Sequence, residues 1–333
     1  MRIPVYGATV FDLGSSMHEI LGSLQPVIAH SEDVYIDRTA LEEFCQSIVK
    51  KELGAPGWDY QHHFYDGTER TVTYLFVLDS LNFCFWGEPH WEITYKDEVL
   101  SGYMALAAAL RQAIEEDIPI IDANFLSTIP LETLSQVLGG SGNLPLMEKR
   151  LAILREVGSV LKTTYQGQAH CLVEAASSSA TQLVQMLVTD FPSFRDEASY
   201  KGHRVPFRKR AQIFVGDLYG SFQGKRWGEF DDLDQLTAFA DYVLPQVLRQ
   251  MGILQYSPKL SDRIDRQELF KPGSPEEVEI RAHTIWAVEL IRRKLAARNW
   301  NLRAFEIDWL LWNMGQDPAY ELKPYHRTLS IYY

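Results

Sequence analysis

Cysteine is scarce in this chain: Cys45, Cys84 and Cys171 are the three among 333 residues. Odd in number and far apart, they form neither a disulfide framework nor a paired-cysteine zinc knuckle. Nine histidines include no HExxH and no pair one helical turn apart. The adjacent His62 and His63 point in different directions on a helix or a strand, so no metal or other cofactor is expected. No apolar run reaches the length of about 20 residues that a membrane-spanning helix needs. The opening MRIPVYGATVFDLG has no basic segment leading into an apolar run, so no secretory leader is evident and a cytoplasmic setting is expected. Basic charge is also short: 32 Lys and Arg against 44 Asp and Glu give a net charge of −12. Gripping duplex nucleic acid relies on basic patches, so small molecules are the better candidate partners. Repeats, low-complexity segments and clear linkers are missing too, and the chain reads as a single unit over 1–333.

What is present is an ordinary globular composition, 46% hydrophobic and 23% charged, arranged mostly with helical period. Residues 39–51 place Leu41, Phe44, Ile48 and Val49 on one face, with Thr39 as N-cap and Glu42 completing a capping box. The stretch TVTYLFVLDSLNFCFW at 71–86 is β-branched and aromatic. It fits a buried strand, with TYLFVL extended and the residues after Asp79 helical, or a helix packed on all sides. HWEITY at 90–95 could pair with a strand in a small sheet. Helices are predicted near 102–114, 131–138, 146–161, 168–188 and 208–222, with GGSGN as a strong breaker after the second. Residues 274–298 give the clearest helix signal, with Ser274 as cap, Pro275 at the first turn and acids behind it. A last helix near 302–313 precedes LKPYHRTLSIYY, an aromatic tail expected to pack on the body.

The segment FDDLDQLTAFADY at 230–242 draws the eye by its aspartates. In the simplest reading Asp232 and Gln235 form a capping box for a helix running through Leu236, Ala240, Val243 and Val247, and Asp231 and Asp234 are solvated. A carboxylate has two oxygens, however. One can cap the helix while the other faces a ligand, and helix amides favour the ionised form. Asp241 lies nine residues on, about half a turn away around the helix, so it does not share the face of Asp232. Pro245 implies a kink near 241 that could re-aim Asp241. Upstream, KGHRVPFRKRAQ at 201–212 reverses the local charge. Cations at Lys209 and Arg210 oppose the helix-start preference for acids, and a bound anion such as a phosphate would explain them better.

Several long segments resemble one family: LDSLNFCFW (78–86), FRKRAQIFVGDLYGSF (207–222), FDDLDQLTAFADYVLPQVLRQMGILQYS (230–257), EEVEIRAHTIWAVELI (276–291) and KPYHRTLSIYY (323–333). They are similar to the queuosine salvage proteins, hydrolases that release queuine from queuosine 5′-phosphate. The resemblance implies a mainly α-helical body like that of helix-hairpin-helix DNA glycosylases, with a small β element near 71–95 and lobes 1–145 and 146–333 around a central cleft. In those glycosylases a catalytic aspartate caps a helix beside the ligand. Asp232 fits that position best, with Asp231 second. Lys209 and Arg210 are then expected to contact phosphate or ribose. Asp79 and Asn82 would bind the polar edge of the base, and Phe83, Phe85 and Trp86 would stack on it. Asp241 and Tyr242 would reach base or ribose hydroxyls.

Queuine is a 7-deazaguanine with carbon at the position of purine N7, so protonation there cannot assist its departure. The chemistry would rest on an anion stabilising the ribosyl cation and handling water. Two other readings remain open at this level: a glycosylase acting on a base in DNA or RNA, and a non-catalytic protein that binds a modified nucleoside.

Overall fold

The computed structural model describes residues 19–317 and 323–333. Among these, fourteen α-helices dominate, and the strands pair two by two into four small sheets. Two helices are buried on nearly every face, Lys209–Ser221 and Pro275–Ala296. Each of these organises one core cluster, and the charged side chains they carry inward must find partners there. Around Lys209–Ser221 pack Glu69–Ser80 and Ala180–Asp190. Phe76 there meets Phe191, Phe194 and Phe214 at centroid distances of 5.0, 5.6 and 5.1 Å. Around Pro275–Ala296 pack Glu19–His30, Arg38–Lys50 and Ala304–Gln316. The two clusters do not separate near residue 145: residues 20–48 share a core with residues from 200 to 311.

Local chemistry differs from the sequence expectation at several points. Asp37, not Thr39, caps Arg38–Lys50 by accepting from the amides of Thr39 and Ala40, and Glu42 pairs instead with Lys294 and Arg298. Of the two readings open at 71–86, the helix packed on all sides is the one that forms. Glu69–Ser80 is a helix with residues 71–80 all buried, and 81–86 is irregular, so tertiary burial overrides the β-propensity of the stretch. The strand Glu92–Tyr95 forms, and pairs antiparallel with Glu98–Ser101. The helix expected over 168–188 is two, Ala169–Ala175 and Ala180–Asp190, split where Ser177 and Ser178 take φ of 50° and 60°. Ser274 caps without a side-chain bond, and Glu277 accepts from the Gly273 amide. The tail packs as expected, with His326, Thr328 and Tyr333 buried.

The largest departure lies at 232–247. A single 3₁₀ turn, Leu233–Gln235, is followed by a buried extended run and then by the helix Val243–Gln250. Tertiary partners hold the extended run open. The Thr237 amide donates to Gln212 Oε1 at 2.8 Å, and the Phe239 amide to Asp308 Oδ2 at 2.7 Å. Pro245 therefore falls in the first turn of a helix, where its missing N–H costs nothing and no kink is needed.

Candidate active site

The start of Val243–Gln250 and the start of Lys209–Ser221 converge on a cavity of about 280 Å³ between the two core clusters. Its wall includes Asn82, Phe83, Phe85 and Trp86 from the segment after Glu69–Ser80. Tyr103 and Met104 open the helix Gly102–Glu115, Trp312 comes from Ala304–Gln316, and Tyr325 and Tyr333 come from the tail.

Asp241 carries the helix-mouth geometry foreseen for Asp232. Its Oδ1 accepts from the amides of Val243 and Leu244, both at 2.9 Å, and fixes the first turn. Oδ2 accepts no hydrogen bond from the described residues, and the residue lines the cavity at 8% exposure. Burial raises this carboxyl above the ordinary carboxylate range, opposed by Lys209 and by the two amides. Lys209 is buried opposite it on the cavity wall. Its Nζ donates to the Asn82 backbone oxygen at 3.1 Å and to Asn82 Oδ1 at 3.4 Å. Burial depresses the ammonium, and Asp241 is the strongest influence holding it up. The two residues form a mutually supporting pair of opposite charge.

A buried ion pair fixes both partners. Arg281 binds Asp196 through two bonds of 2.9 and 2.6 Å and donates through Nε to the Ala240 carbonyl at 3.0 Å. Asp196 Oδ2 accepts the Lys209 amide at 3.1 Å. The residue before Asp241 and the backbone of Lys209 are thus tied to one side-chain pair. Other buried acids flank the site. The neighbours Asp79 and Asp217 are both raised by burial, Asp79 well above its ordinary value and Asp217 to about 7. Asp308 is likewise raised well above its ordinary value, by burial and by Asp241. Burial thus pushes all three acids toward their neutral form around the Asp241–Lys209 pair. The Tyr103 hydroxyl joins Asp217 Oδ2 at 3.2 Å to His63 Nε2 at 2.8 Å.

Of the residues expected from sequence, Asn82, Phe83, Trp86, Lys209, Asp241 and Tyr242 line this one cavity. Four do not. Asp79 is wholly buried in its helix behind the wall. Arg210 donates to the carbonyls of Ser80 and Ser193, away from the cavity. Asp231 is exposed. Asp232 caps a helix, but not its own. Its carboxylate accepts from the Ala180 amide at 2.5 Å, Ser179 Oγ at 3.0 Å, and the amide and hydroxyl of Thr181 at 3.2 and 2.6 Å. Those bonds outweigh burial and draw it below the ordinary range. The helix-mouth geometry expected of Asp232 is found at Asp241, because the chain between them is irregular rather than helical, and only the second aspartate lines the cavity. The basic stretch is also largely consumed locally. Lys201 pairs with Glu32, Arg204 with Glu197 and Glu19, and Arg208 with Glu19.

At the cavity mouth the helix Gly102–Glu115 begins without a side-chain cap from Ser101. Tyr103, Trp312, Tyr325 and Tyr333 were not picked out by sequence, since they come from segments remote from the aspartate cluster. The aromatic tail was the one hint of the last two.

Fold and cavity define a mainly helical protein with a buried carboxylate–lysine site walled by aromatic rings. The chain belongs to the queuosine salvage protein family, whose pattern matches residues 62–333. A protein of Sphaerobacter thermophilus named queuosine 5′-phosphate N-glycosylase/hydrolase is 47% identical over 94% of this chain and 97% of its own. Proteins of the same name from Dictyostelium discoideum and Bos taurus are 38% and 35% identical. They cover 91% and 92% of this chain and 95% and 96% of their own lengths.

Proposed function

We propose that this protein hydrolyses the N-glycosidic bond of queuosine 5′-phosphate and releases queuine, with Asp241 as the catalytic carboxylate. Family membership and the names of the relatives support the reaction. The observation that supports the role of Asp241 is its divided carboxylate. One oxygen is committed to helix amides, and the other accepts no hydrogen bond from the described residues, in a side chain on the wall of the cavity. A preorganised anion of this kind stabilises positive charge developing at the anomeric carbon. A carboxyl raised above its usual range is also a better base toward water than an ordinary one.

Lys209 favours the ionised form of Asp241 and holds the oxygens of Asn82, whose side chain lines the cavity beside the base. Phe83, Phe85 and Trp86 are the stacking surface. The 5′-phosphate lies at the mouth, against the uncapped first turn of Gly102–Glu115, where backbone amides suit an anion. A walled cavity in a chain of net charge −12 favours a free nucleotide over a polymer. Three free cysteines fit the reducing cytoplasm. Incubation with queuosine 5′-phosphate and mass spectrometry of the products tests the reading. Free queuine with ribose 5-phosphate is expected, and an unchanged nucleotide under stoichiometric protein would refute it.

A further inference from the structure

Arg150 stands outside every role described so far. It lies in the helix Met147–Thr164 with 0% exposure. Its guanidinium donates to four backbone carbonyls: Nε to Pro145 at 3.0 Å, Nη1 to Leu81 at 2.6 Å, and Nη2 to Phe83 and Cys84 at 2.5 and 3.0 Å. No carboxylate among the described residues pairs with it. A buried charge without a counterion is costly, and a methionine or leucine would fill the space without that cost. The guanidinium also lies 4.2 Å from the centre of the Phe83 ring and 5.4 Å from that of Phe85. Arg210 adds a second cation, 5.2 Å from the centre of Phe83.

Three of the four carbonyls belong to the turn that walls the cavity. That turn is held in an unusual shape, with Cys84 at φ 49°, a left-handed conformation uncommon for a residue other than glycine. Between Leu81 and Phe83 the same turn presents Asn82, whose oxygens receive Lys209. The arginine therefore does two things at once. It turns the carbonyls inward, which directs Asn82 at Lys209, and it sets a positive charge against the Phe83 ring of the cavity wall.

We infer that Arg150 is a positioning residue for the departing base, fixing the 81–84 turn and opposing, through the Phe83 ring, the negative charge that builds on the base as its bond breaks. The inference rests on the proposed reaction. In that step the bond from the anomeric carbon to the base nitrogen breaks, and its electron pair stays on the base. A water oxygen bonds to the carbon and gives a proton to Asp241. The base nitrogen takes a proton from solvent, and Asp241 returns its own to solvent.

The test compares Arg150→Met, which removes charge at similar bulk, with Arg150→Lys, which keeps charge but fewer donors. Thermal unfolding and queuine binding verify folding, and kcat and KM are read separately with queuosine 5′-phosphate. In Arg150→Met kcat should fall ~100-fold, the scale of losing one preorganised electrostatic group, while KM changes less than about threefold. Arg150→Lys should recover at least about tenfold of the lost kcat. A folded, queuine-binding Met variant with kcat near the parent's would overturn the inference. So would equal losses in the Met and Lys variants. Should the Met variant not fold, the Lys variant decides alone: kcat within ~10-fold of the parent supports the inference, and a folded, queuine-binding Lys enzyme without turnover sinks it. If the parent itself releases no queuine, the reaction assignment has failed rather than this residue's part in it.

Discussion

Asp232 and Asp241 sit nine residues apart, and each caps the first turn of a helix, yet they are chemically opposite. Asp232 spends both oxygens on Ser179, Ala180 and Thr181 and is drawn below the ordinary carboxylate range. Asp241 spends one oxygen on two amides, keeps the other on a cavity wall, and is raised by burial. A satisfied cap is a structural fastening, whereas a half-satisfied one on a cavity wall keeps an oxygen available to a ligand. The feature that distinguishes them is where the second oxygen goes, and the rest of the fold decides that.

The most severe way to break this comparison is to replace each aspartate by asparagine. Asp241→Asn should lower kcat at least ~1000-fold with the fold intact, because the anion facing the ribose is gone. Asp232→Asn should leave kcat within about threefold, the expectation for a residue outside the site. Product release followed by mass spectrometry reads both, and the reverse ranking would return the chemistry to Asp232. Next in size, Lys209→Met should reduce kcat/KM by ~100-fold, through loss of the cation that supports Asp241 and orders Asn82.

The pH profile sharpens the same contrast. Asp241 must be ionised to act, so activity should fall as pH drops through a pKa above the ordinary carboxylate value. Lys209→Met removes the cation that lowers that pKa, so the acid limb should move to higher pH. A limb that stays put would show that Asp241 does not govern it. Ser101→Asp places a competing anion at the N-cap of Gly102–Glu115. It should raise KM for queuosine 5′-phosphate about tenfold relative to queuosine, and equal effects on both would move the phosphate elsewhere. The smallest effect belongs to stability. Asp232→Ala should cost ~1 kcal/mol in denaturant unfolding, the usual worth of a cap. That contribution should fade as acid protonates Asp232, since a depressed carboxyl stabilises the fold only while ionised.

Much of the helical body was legible because apolar period and breakers act locally. Lys209–Ser221, Pro275–Ala296 and Met147–Thr164 lie close to where the pattern puts them. The break at Ser177 and Ser178 was not legible, since no glycine or proline marks it. Nor was the extended run before Asp241, whose amides bond to Gln212 and Asp308 from remote segments. Local pattern supplied a continuous helix there and hence the wrong aspartate for the helix-mouth role. The segment LDSLNFCFW named its cavity residues well, but neither it nor the basic stretch at 201–212 revealed that Asp79 and Arg210 would stand behind the wall. Which side of a wall a side chain occupies depends on the neighbouring helix, which no spacing rule encodes.

The Asp196–Arg281 pair works as a pivot pin shared by Lys209 and Asp241, since it grips the Lys209 amide at one end and the Ala240 carbonyl at the other. Two side chains so yoked cannot drift apart independently. A redesign of the cavity has room on the Trp86 and Tyr325 side, which lies outside that yoke, while exchange of either pin residue alone would unsettle Lys209 and Asp241 together.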